Sequence, residues 1–98
     1  MRYTEFREWQ KLIEKFKRTL IEAQELRDSK GEWINNELEW ITYERDVMFR
    51  LTNQERENRG LNPVRLEDIK KCENYAAGHV DYTNKFALYC CELAVGEM

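Results

Sequence analysis

Chemistry in a short chain depends on a few side-chain types, and here they are sparse. His79 is the sole histidine, and so the one side chain whose ordinary pKa lies near neutrality. Its nearest acidic neighbour, Asp81, is two residues away and projects from a different face of a helix, so a His-Asp relay within one helix is not indicated. Seven residues separate His79 from Cys72 and from Phe86, which predicts a partly buried, structural histidine. Cys72, His79 and Cys90 are the soft metal ligands on offer. On one straight helix they would span five turns, and zinc needs its ligands at ~2.0 to 2.3 Å, so this spacing argues against a zinc site. Vicinal Cys90 and Cys91 would point about 100° apart, one packed and one at the boundary. No GxSxG elbow is present, and Gly31, Gly60, Gly78 and Gly96 are too scattered for a phosphate-binding loop. The expectation is a protein that is not an enzyme and holds no cofactor.

Charge is more informative. Residues 1–20 carry six basic and three acidic groups, residues 21–57 five and ten, and residues 58–98 five and six. Arg7, Lys11, Lys15 and Arg18 follow the 3.6-residue period opposite Trp9, Ile13 and Phe16, and such a stripe can neutralise phosphates. Glu8 and Glu14 flank it, and the sequence pI is about 5.3, so a solvated face competes with nucleic-acid binding as its explanation. The acidic middle, with Glu37, Glu39, Glu44 and Asp46, either forms a solvated helix face or docks on a basic surface. Tyr75, Tyr82 and Tyr89 step by seven, as do Trp33 and Trp40. On a continuous helix the tyrosines form a ridge at the edge of the core or at an interface.

Three long segments must position these groups. Phe6, Trp9, Ile13, Phe16, Leu20 and Ala23 trace one helical stripe, widened by Leu12 and Leu26. In the second segment Ile34, Leu38, Ile41, Met48 and Leu51 do the same, with Trp33, Trp40 and Val47 beside them. Arg45 interrupts this stripe: either its stem packs while its head reaches solvent or a glutamate, or its charge fixes register. The third apolar face runs through Leu66, Ile69, Cys72, Ala76, Val80, Phe86, Ala87, Cys90 and Leu93.

Breaks between the segments are marked by Asp28-Ser29-Lys30-Gly31 and by Asn58-Arg59-Gly60-Leu61-Asn62-Pro63. In the latter, Gly60 suits a helix C′ position, Asn62 a cap and Pro63 a first turn, with a staple of Leu61 on Leu66. The predicted helices cover residues 4–28, 32–58 and 63–94, with a frayed tail from Val95. At ~1.5 Å per residue the third would approach 50 Å, against ~36 to 39 Å for the others. Either it breaks near Gly78, where Asp81 can cap a new start at 81, or its end projects towards a second subunit.

The fold expected is all-α: an antiparallel bundle of three long helices in one domain, dimeric because so small a bundle cannot enclose three Trp, five Tyr and four Phe. With 98 residues and a mean hydropathy of −0.84, a multidomain machine is excluded. No apolar run approaches the ~20 residues of a membrane span, and residues 1–5 lack the apolar run of a secretory signal, so a cytoplasmic location without membrane contact is expected. Three cysteines without CxxC spacing fit a reducing compartment better than a disulfide framework.

Two resemblances bear on function. The second segment, through Glu37, Glu39 and Glu44, resembles the acidic helix of MazG-type all-α nucleotide pyrophosphohydrolases. That family's EExxE cluster is missing, so this resemblance implies at most a degenerate metal site. In composition the chain is similar to phage-encoded inhibitors of host defence such as anti-CRISPR proteins. That similarity implies an acidic helical face that occupies the groove of a basic, nucleic-acid-binding protein, with Trp33, Trp40, Tyr75, Tyr82 and Tyr89 as anchors.

Overall fold

The computed structural model describes the backbone of residues 3–29 and 37–96 and the side chains of residues 6–26 and 43–96. Among the described residues there are four helices and no strand: α1 (Tyr3–Ser29), α2 (Glu37–Asn58), α3 (Leu66–Ala77) and α4 (Tyr82–Ala94). None is long and apolar enough to cross a membrane. The expected three long helices are thus corrected to four. The third segment does break at Gly78, and the break is a full reversal. Cys72 meets Cys90 and the Tyr75 ring meets Tyr89, so α3 and α4 form an antiparallel hairpin across residues 78–81.

The remaining directions follow from side-chain pairings. Gln24 bonds Thr83, while Ile13 lines a groove with Leu88, so α1 runs antiparallel to α4. Arg45 pairs with Glu73 and Asn53 with Val64, which sets α2 antiparallel to α3. Arg56 reaches the carbonyl of Leu93 while Glu44 lies near Tyr82, so α2 and α4 are parallel. Each helix therefore runs opposite to its sequence neighbour. Helix α2 packs against all three others, whereas α1 and α3 sit on opposite corners.

Burial explains why these stretches are helices. Leu12, Phe16, Leu20 and Ala23 from α1 meet Met48 of α2, Ile69, Cys72 and Ala76 of α3, and Phe86, Ala87, Cys90, Cys91, Leu93 and Ala94 of α4. Fully burying a side chain the size of Leu or Phe contributes ~1.5 to 3 kcal/mol. Phe6 and Leu26, expected on the α1 stripe, are exposed, and Leu12 takes a place in the core. In α2 Met48 lies in the core as expected and Val47 and Leu51 pack half-buried against it, but Glu44, Thr52 and Glu55, outside the expected apolar line, are buried on the same helix. A helix flanked on three sides finds partners for polar groups on its inner face: Lys15 Nζ, for example, sits 2.8 Å from Glu55 Oε1.

Loop chemistry fixes the α2 terminus. Gly60 adopts φ +72°; its N–H donates to the Glu57 carbonyl and that of Leu61 to the Arg56 carbonyl, at 3.0 and 2.8 Å. This is the Schellman arrangement, for which a glycine at C′ is the natural residue. The next helix, however, starts at Leu66 rather than Pro63. Asn53 holds the Val64 N–H and C=O, and Arg56 Nε donates to the Asn62 carbonyl, which pins residues 62–64 against α2. Arg65 replaces Asn62 at the N-cap position, and its N–H donates to Asp68 Oδ2 at 2.9 Å. Leu66 is exposed. At the far end Val95 and Gly96 close α4 through hydrogen bonds to Cys91 and Leu93, so the expected fraying does not begin at Val95.

Candidate functional site

Two groupings of polar side chains lie against the α3–α4 hairpin. The first joins α2, α3 and α4 at the end of the hairpin. Arg45 Nη2 and Nε donate to the two Glu73 carboxylate oxygens at 2.6 and 3.3 Å, with only 18% and 13% of the two side chains exposed. Glu44, expected on an outward acidic face, is buried in its interactions with the fold, and Tyr82 lies beside both glutamates. Burial first, and then the carboxylates of Glu73 and Glu44, push the Tyr82 hydroxyl well above the ordinary tyrosine range. The Arg45 head thus reaches a glutamate, and the pair ties α2 to α3. A guanidinium already chelated by a carboxylate, next to a phenol that resists ionisation, is an arrangement suited to holding three helices together rather than to proton transfer.

The second grouping is Cys72, Cys90 and Thr52. Cys72 and Cys90 lie close together in the core; their expected separation over five turns is overturned because the helix doubles back. Cys91, expected in part at the boundary, is also buried. Among the described residues, no group of three or more His, Cys, Asp or Glu side chains converges on a metal position. His79, expected to be partly buried, is exposed on the α3–α4 turn.

Surface candidates are redistributed too. Tyr75 and Tyr89 do not belong to one ridge; they meet edge to face across the hairpin, ring centroids 6.2 Å apart and planes at 82°. Tyr82 turns inward against Phe86 at 5.8 Å. Of the basic stripe, Lys11 and Arg18 are exposed, Arg7 is exposed and engaged with a neighbour, and Lys15 is committed to Glu55. Trp33 lies outside the described residues, as do the side chains of Glu37, Glu39 and Trp40. A concavity of about 700 Å³ opens between the outer face of α2 and the 59–65 loop, with Phe49, Leu61 and Pro63 as its apolar lining and Arg50, Gln54 and Glu57 at its polar edge.

Comparison with protein-family models, curated proteins and solved structures gives no match. The function must therefore be argued from these side chains. Sequence reading missed the approach of Cys72 to Cys90 because it requires the reversal at residues 78–81, whereas a glutamate at the Arg45 head was among its expectations and needs only the packing of α2 on α3. Gly78 followed by Asp81, a helix stop and start three residues apart, pointed to the break itself but not to the full reversal.

Proposed function

We propose that the protein is a non-enzymatic interaction module that docks a helical, aromatic surface on another protein and pairs with a second copy of itself. The observation that carries this reading is Tyr75, which is 57% exposed and braced edge-on by Tyr89. Tyrosine offers large contact area at low conformational cost, and residues of this type dominate the energetics of many protein interfaces. A rigid pair on the outside of a short hairpin serves such a role better than it serves a core. The acidic segment around Glu37 and Glu39 directs the choice of partner towards a basic surface, in the manner of small inhibitors that compete with nucleic acid.

The experiment combines sedimentation velocity with cross-linking in native host cells, using wild type and a Tyr75→Ala, Tyr89→Ala double variant. Loss of a contact of this class costs ~2 kcal/mol, about a 30-fold weaker association. Self-association and cross-linked partner that both survive the double substitution would reject the reading. Retention of an oligonucleotide that falls steeply with salt, and is abolished by Lys11→Glu with Arg18→Glu, would favour the α1 basic face instead.

A further inference from the structure

The inner faces of α3 and α4 share one phase. Ile69, Cys72 and Ala76 are the buried residues of α3, and eighteen residues after each stands a buried residue of α4: Ala87, Cys90 and Ala94. Eighteen residues make five turns at about 3.6 residues per turn, so the two faces fall on one line when α3 continues straight into α4. A hairpin needs no such agreement, because its turn sets the rotation of the second helix independently of the first. The connection fits a straight course as well. Gly78 has φ −84° and ψ −1°, already in the right-handed helical region, and none of the described atoms lies within 4 Å of where a Cβ would stand. No residue of 78–81 has a positive φ, and Asp81, at φ −96° and ψ 51°, departs from a helix mainly in ψ. Val80 is an apolar side chain left wholly in solvent at the tip of the turn. On a continuous helix it would join the buried line, about 20° from both Ile69 and Ala87.

We infer that two copies of this chain exchange α4. Residues 78–81 straighten, residues 66–94 become one helix, and each α4 packs in the other copy against α1, α2 and α3. In the closed chain α4 is the central rod: no residue from Tyr82 to Val95 is exposed, and the helix packs against all three others. Exchange remakes each of those contacts between chains, so none of the core is lost, and the occupant of each vacated groove is the one helix already shaped to it. The two long helices run antiparallel past each other, and Val80 of one copy meets the partner's Val80 at the two-fold axis. The C-terminus of α1 and the N-terminus of α2 stand at the same end as the turn, so exposed Leu26 and Tyr43 are brought to the seam. The Tyr75–Tyr89 pair survives as a contact between chains. This inference rests on the self-pairing proposed above and names its mode; docking on another protein does not depend on it.

The test mixes equal amounts of ordinary and heavy-isotope-labelled full chain, both carrying Gln24→Cys and Thr83→Cys, unfolds them together in urea, refolds them at high concentration and separates the products by size. Gln24 and Thr83 bond across α1 and α4 at 3.2 Å, so a short bismaleimide joins these positions, and peptide mass spectrometry reads whether the two joined peptides carry one label or two. The expected result is a dimer whose 24–83 links mix labels, beside a monomer whose links do not. Two glycines inserted between His79 and Val80 interrupt a continuous helix and turn its phase by about 200°; they should abolish the dimer and leave a folded monomer. Gly78→Ala favours the straight form at both hinges and should strengthen the dimer by up to about 30-fold. A dimer whose links each carry a single label would overturn the exchange and leave self-pairing in place, whereas a chain that stays monomeric to millimolar concentration would overturn both. The insertion is read by sedimentation on the otherwise native chain, so a dimer that survives it overturns the exchange even if the cysteine variant does not fold.

Discussion

Replacing Arg45 by Met tests the tie between α2 and α3 most directly, because Met keeps much of the packed stem and removes the charge. In the native protein the guanidinium makes two bonds to Glu73, and neither side chain is more than one-fifth exposed. Removing one member of a fully buried pair costs about 3 to 5 kcal/mol, and exposed pairs contribute roughly 0 to 1. The partial exposure here places Arg45→Met at ~2 kcal/mol, because Glu73 is left facing buried Glu44 and the Tyr82 ring without its counter-charge. For a chain of about 100 residues that is a fall in melting temperature of about 8 to 16 °C, and a urea midpoint lower by roughly 1 to 2 M. The double variant Arg45→Met, Glu73→Leu should recover most of this loss, since no uncompensated charge remains. Circular dichroism on the four proteins of the cycle is sufficient. A single-variant shift below about 2 °C, or a double variant worse than either single one, would refute the reasoning.

Two further outcomes are expected. Tyr82 keeps its proton to higher pH in the folded than in the unfolded chain, so its contribution to stability is complete below pH 10 and is lost as pH rises beyond it. Melting temperature between pH 10 and 12 should thus fall more steeply for wild type than for Tyr82→Phe; parallel profiles would contradict the described burial. Thr52→Val replaces an unpartnered buried hydroxyl with a methyl of similar volume, and should stabilise the fold by about 1 kcal/mol in urea denaturation. A loss of stability would mean that the hydroxyl has a partner in solution.

Much of the architecture was legible because apolar residues recur at the helical period and proline occurs once. Phe16 and Leu20 lie in the core as their spacing predicts, and Gly60 ends α2 in the left-handed conformation that its position suggested. The reversal at residues 78–81 was harder to read for a geometric reason. A stripe that runs along one face of a straight helix remains the inner face of each half when the helix folds back, so Cys72 through Leu93 fit either arrangement. The choice between them decides whether Tyr75 and Tyr89 are two steps along a ridge or one touching pair. In α2 an apolar scan follows Met48 and Leu51, whereas the buried line includes Glu44 and Glu55; only the neighbouring helices reveal that a carboxylate at such a position has company.

Arg56 gives one end of the molecule a particular character. Its guanidinium reaches the Leu93 carbonyl at the close of α4 and the Asn62 carbonyl in the loop, both at 2.6 Å. Helix termini otherwise offer a ring of unsatisfied acceptors with partial negative charge. Here a cation from a neighbouring rod occupies one of them and neutralises part of that field, so this pole of α4 draws an external positive charge less strongly than an uncapped end would.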